Sequence, residues 1–122
     1  MNKLAYERSY TQAIDSIPDK SNTLVRDIYR KRAYANLIDG RCEAAMEDAL
    51  ASCSGDLNDK AHHCVGCAAY ELGHYEIAKD HFVDAVQACP KNIRYQKDLA
   101  RSKVRIHYTP KISINQLLIV IG

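Results

Sequence analysis

His62, His63, Cys64 and Cys67 form the densest run of metal- and redox-capable side chains in the chain. A Cys-x-x-Cys pair beside two imidazoles offers the sulfur and nitrogen donors that zinc prefers. A structural zinc site needs a second ligand pair at matched spacing. Cys42, Cys53, His74, His81, Cys89 and His107 supply none in sequence. Helical periodicity puts Cys64 and Cys67 three apart on one face, too regular for a zinc-knuckle turn. Thioredoxin-like redox chemistry would need a βαβ setting, which the pattern lacks. Buried free thiols are the plainer reading. Neither a metal nor a cofactor is expected.

The other chemistry-bearing candidates are weaker. Glu43, Glu47 and Asp48 cluster at helical spacing, where a solvated outer face is the ordinary explanation. The chain has no Gly-x-Ser-x-Gly elbow, no phosphate-cradling glycine loop and no His-Glu-x-x-His. No catalytic residue is assigned and an enzyme is not expected.

The elements that carry these residues are helical. Residues 61–90 read as two antiparallel amphipathic helices with a turn at Gly73-His74 and a stop at Pro90. Tyr75, Ala78, Phe82 and Ala85 follow the spacing of one buried stripe. Gly66 falls inside the first helix, at a cost of about 1 kcal/mol against Ala. Close approach of the partner helix through the small residues Ala78 and Ala85 is the expected compensation.

A second copy lies upstream. Residues 27–38 form its first helix, Gly40-Arg41 its turn and residues 42–53 its second helix. Gly40, Ala45, Ala49 and Ser52 stand 33 positions before Gly73, Ala78, Phe82 and Ala85. Ser21, Asn22 and Thr23 are N-cap candidates for this copy and Asp59 for the next. Residues 3–17 place Tyr6, Tyr10, Ala13 and Ile14 on one face and stop at Pro18, as a second helix without its first.

Together these features resemble the tetratricopeptide (TPR) repeat, with its period of about 34 residues and its W-x2-L-G-x2-Y, A-x3-F, P pattern. Val65-Gly66 sits at the L-G position, Ala78-x3-Phe82 matches and Pro90 closes the unit, while His62 and Ala69 replace Trp and Tyr. The resemblance covers residues 3–90 and implies an all-α array of helical hairpins, a right-handed superhelical solenoid fragment. Its layout is a TPR domain over 1–107, with a half repeat at 3–18, repeats at 22–54 and 59–90, and a capping helix at 91–107 presenting Ile93, Leu99 and Val104. Residues 108–122 form an apolar tail outside the repeat, and both ends suggest a truncated form or fragment of a longer protein. Only two complete repeats and an apolar tail also raise the prospect of self-association.

The 122 residues allow one domain, with 47% hydrophobic and 26% charged residues as in an ordinary globular chain. No stretch approaches the roughly 20 apolar residues of a membrane span, so no membrane partner is expected. Residues 1–10 lack the apolar core of a signal peptide. Five cysteines spread through helical pattern fit a reducing compartment, cytoplasmic by default with the nucleus as the other option. The net charge of +2 hides a basic end: residues 91–122 carry Lys91, Arg94, Lys97, Arg101, Lys103, Arg105 and Lys111 against Asp98 alone. Such a helix could attract nucleic acid, but a solvated face is the commoner outcome and nucleic acid is not expected as a partner.

The TPR resemblance also implies a site. The first helix of each repeat lines a concave groove, and by register its inward positions are Asp27, Arg30, Lys31 and Tyr34, then Lys60, His63, Cys64 and Cys67. Such a groove is mildly basic with one aromatic platform, suited to a protein or acidic peptide rather than a small-molecule substrate. TPR adaptors that hold chaperone C-termini use Lys and Asn in a first repeat, Asn in a second, and Lys and Arg in a third. Here Lys60 matches the third-repeat Lys, Lys31 stands at the second-repeat Asn and Cys64 stands where Arg belongs, so that clamp is not expected. A protein–protein interaction scaffold is the leading expectation. The alternative is a non-catalytic regulatory segment, because residues 29–37, 40–41, 49–52 and 99–103 also resemble the TPR segment preceding SET methyltransferase domains in fungal proteins. No cofactor or lysine-channel motif of such a domain is present.

Overall fold

A computed structural model describes residues 3–53 and 58–108, which form six α-helices and no strand. They are α1 (Lys3–Asp15), α2 (Thr23–Ile38), α3 (Cys42–Ser52), α4 (Asp59–Glu71), α5 (Tyr75–Ala88) and α6 (Ile93–Tyr108). The apolar segment 112–121 and most of the loop before α4 lie outside the described residues. No described helix is long and apolar enough to cross a membrane.

Local chemistry sets the helix ends. The Asn22 side chain accepts the Leu24 N–H at 2.8 Å and caps α2. Asn58, rather than the expected Asp59, caps α4, accepting from the Lys60 and Ala61 N–H groups. Its neutral amide sits one residue earlier, leaving the Asp59 carboxylate free to accept from Tyr95 Oη at 2.6 Å. Both α2 and α4 end in the same reverse turn. Gly40 and Gly73 adopt φ of 78° and 82°, a left-handed conformation that glycine takes without Cβ strain. Arg41 N–H then reaches Asn36 O at 2.8 Å, and His74 N–H reaches Ala69 O at 2.9 Å. These six-to-one bonds, each with a glycine N–H bonded inside it, are Schellman terminations. The 33-residue offset seen in sequence therefore repeats in backbone geometry.

Each helix packs on the next in chain order, and α2 also touches α4 as α4 touches α6. Among the described residues, the backbones of α1 and α3 stay apart, as do those of α3 and α5. Even-numbered helices therefore share one layer and odd-numbered helices the other. Two apolar clusters fill the space between them. Ala33, Ala49, Cys64 and Val65 form one, and Ala69, Ala78 and Phe82 the other, with Met46 packed against both. Ala45, Ala49 and Ser52 are buried like their counterparts Ala78, Phe82 and Ala85.

Three further expectations need correction. A Cβ on Gly66 would meet the Phe82 ring at 2.5 Å. The partner helix does approach this glycine, but through the Phe82 ring ahead of the small residues Ala78 and Ala85. Asp48 is buried, unlike a solvated acid: it takes a two-pronged ion pair from Arg32 at 2.7 and 2.8 Å and a bond from Asn36. Two positive or polar donors from α2 compensate its desolvation. On α6, Ile93 and Val104 are 64% and 53% exposed, and the docking face is Tyr95, Asp98, half-buried Leu99 and Ser102. Polar residues can occupy that face because each has a partner: Tyr95 bonds Asp59, Asp98 bonds His63, and Ser102 bonds the Asp98 carbonyl.

Candidate functional site

The even-numbered helices are tied across their layer by a chain of polar side chains. Tyr34 of α2 stands 2.9 Å from His63 Nδ1 of α4, and His63 Nε2 stands 2.6 Å from Asp98 Oδ2 of α6. Arg101 completes the chain at 2.8 Å from the other Asp98 oxygen. One tautomer satisfies every group, with Tyr34 donating to Nδ1 and Nε2–H donating to the carboxylate. Burial outweighs the Asp98 carboxylate and, with Arg94 and Arg101 nearby, holds the His63 pKa below its ordinary value. Burial likewise raises the Tyr34 hydroxyl, which keeps its proton. His63 is further enclosed by the rings of Tyr95 and Phe82, at 4.8 and 5.5 Å between centroids.

Three concavities of about 630, 420 and 370 Å³ meet at Tyr34. The largest lies against Tyr6 and Tyr10 of α1, with Lys31 and Ile38 on α2. The second runs over Cys67 and Tyr70 toward Arg94 and Arg101. The third is edged by Arg30, Lys60, Arg94 and Tyr95 and floored by His63. The Arg101 guanidinium lies over the Tyr70 ring at 4.7 Å, fixing one wall.

The expected groove positions separate into two sets. Arg30, Lys31, Tyr34, Lys60 and Cys67 line these concavities, with His63 as floor. Asp27 lines none of them and pairs with Arg30 at 3.5 Å. Cys64 is fully buried against Ala33 and Ala49 and offers no surface to a partner. His63 is also a correction in part: at 2% exposure it supports the groove rather than presenting a free side chain. The cause is α6, which closes over α4 and brings Tyr95 and Asp98 onto the imidazole.

Sequence reasoning missed the contribution of α6. Residues 91–107 read in sequence as a cap, yet Arg94, Tyr95, Asp98 and Arg101 build one side of the groove. The available signal was Arg94, Lys97 and Arg101 at helical spacing. Among the described residues no carboxylate pairs with Lys31, Lys60 or Arg94, so their charge remains available at the rim. Burial pushes the Cys64 and Cys67 thiols up to about 12, which keeps both protonated near neutral pH. No protein-family model matches this chain, and no curated protein sequence matches it either.

Proposed function

We propose that this chain is a tetratricopeptide-type interaction module that binds an acidic peptide, or an acidic segment of a partner protein, in the groove centred on Tyr34. The observation that carries this reading is the meeting of three concavities at one tyrosine, edged by Arg30, Lys31, Lys60, Arg94 and Arg101. The two-layer packing and the matching Schellman turns 33 residues apart support the repeat reading. A peptide lying along α2 and α4 would stack on Tyr34 and place carboxylates against Lys31, Lys60 and Arg94, with Arg30 and Arg101 already paired to Asp27 and Asp98, the mode by which acidic motifs meet basic clusters. The chemistry of a hydrolase or transferase is not part of this reading.

The test is fluorescence anisotropy of a labelled Glu/Asp-rich peptide against the full chain and the triple variant R30E/K31E/K60E. Each exposed pair contributes about 0.2–1 kcal/mol, so the triple reversal should weaken binding by about tenfold or more. Affinity should also fall with added salt. Equal affinity of the two proteins, with unchanged circular dichroism, would return these cations to an ordinary solvated surface.

A further inference from the structure

His62, on α4, faces His81 and Asp84, which stand three apart on α5. His62 Nδ1 lies 3.1 Å from His81 Nδ1 and 3.7 Å from Asp84 Oδ2, and all three ligand atoms fall within 4.8 Å of one another. Zinc-class ions bind imidazole nitrogen and carboxylate oxygen at about 2.0–2.2 Å in a tetrahedron, whose edges are then roughly 3.3–3.6 Å. The two separations from His62 Nδ1, 3.1 and 3.7 Å, bracket that edge. We propose that His62, His81 and Asp84 bind a zinc-class divalent cation at the seam of the α4–α5 hairpin. None of the three lines the concavities around Tyr34, so the site is independent of the groove.

The surroundings favour the assignment. Both helices are anchored by buried neighbours of the ligands, Ala61 and Val65 on α4 and Phe82 and Ala85 on α5. The donors are therefore held by packed elements. Two imidazole nitrogens 3.1 Å apart have room for one proton between them, one ring donating and the other accepting. A cation would take the place of the single shared proton. Asp80 adds a second negative charge within electrostatic reach of His81. Two nitrogens and one carboxylate select zinc, cobalt or nickel over magnesium and calcium, and leave one tetrahedral position for water.

His63, Cys67 and Asp98 form a second group of the same size, but its electrostatics are opposite. Asp98 is ion-paired with Arg101, and Arg94 and Arg101 both act on His63. That field opposes a dication, and the group is already satisfied as a hydrogen-bonded chain.

Cobalt(II) titration of the full chain at neutral pH, followed by visible d–d absorption and calorimetry, tests the proposal. Binding of one equivalent is expected, weakened by at least about tenfold in His81→Ala and in Asp84→Asn and unchanged in Cys67→Ala. Asp84 is partly exposed, so its amide variant keeps the test valid if His81→Ala unfolds. Absence of stoichiometric binding, or binding that survives Asp84→Asn, would overturn it. So would a thiolate charge-transfer band that disappears in Cys67→Ala, which would move the ion to the other group.

Discussion

Replacing Gly66 with alanine should destabilise the fold, against the rule that alanine is the better helix former. In an open helix the change would gain about 1 kcal/mol. Here the new methyl carbon would stand 2.5, 2.6 and 2.9 Å from three carbons of the Phe82 ring, roughly 1 Å inside optimal carbon–carbon separation. The ring has nowhere to retreat. It is fully buried with Ala69 and Ala78, and Met46, Cys67, Tyr70 and Leu99 close around that cluster. Overpacking of this kind costs about 1–3 kcal/mol. The clash sits at the upper end because three ring atoms are involved, so a net loss of about 1–2 kcal/mol remains after the propensity gain. Urea unfolding followed by helical circular dichroism reads this as a lower midpoint at unchanged slope. The decisive measurement is the double-mutant cycle with Phe82→Leu. Removing the ring should cut the cost of Gly66→Ala or reverse its sign, giving a coupling well above the few tenths of a kcal/mol expected for independent sites. A Gly66→Ala protein as stable as the parent, or additive behaviour in the cycle, would refute the packing argument.

Two further outcomes follow from buried charge. Asp48→Ala should cost about 3 kcal/mol, because it strands the Arg32 guanidinium, whose side chain is 19% exposed. Replacing both partners with apolar residues, as in R32M/D48L, should cost clearly less in the same urea assay, and equal costs would refute the ion-pair account. Folding lowers the pKa of His63 and of His81, so the unfolded chain binds more protons below the ordinary histidine value of 6.5. Stability should therefore be complete above that pH and fall as the solution is acidified through it. Urea midpoints measured on either side should show this, with a smaller fall in His81→Gln. A midpoint that rises on acidification would contradict the sign.

The helices and the two matching turns 33 residues apart were legible in the sequence because their signals are short in range. Apolar spacing marks a helix face, Asn22 can cap only the residues beside it, and Gly40 and Gly73 permit left-handed turns wherever the chain later goes. Which polar residues were buried depended on contacts between distant parts of the chain. Asp48 looks like any solvated acid until Arg32 arrives from the preceding helix. His63 looks like a groove residue until α6 brings Tyr95 and Asp98 onto it. The basic helix α6 could be read as a mere cap because nothing local says that Arg94 and Arg101 line the same concavity as Tyr34. Likewise, the spacing of His62, His81 and Asp84 in sequence carries no ligand pattern, and only the α4–α5 hairpin brings their donor atoms together. Desolvation and pairing are properties of an environment that several helices build jointly. The local pattern decided which helices form, and the tertiary structure decided which of their polar groups meet.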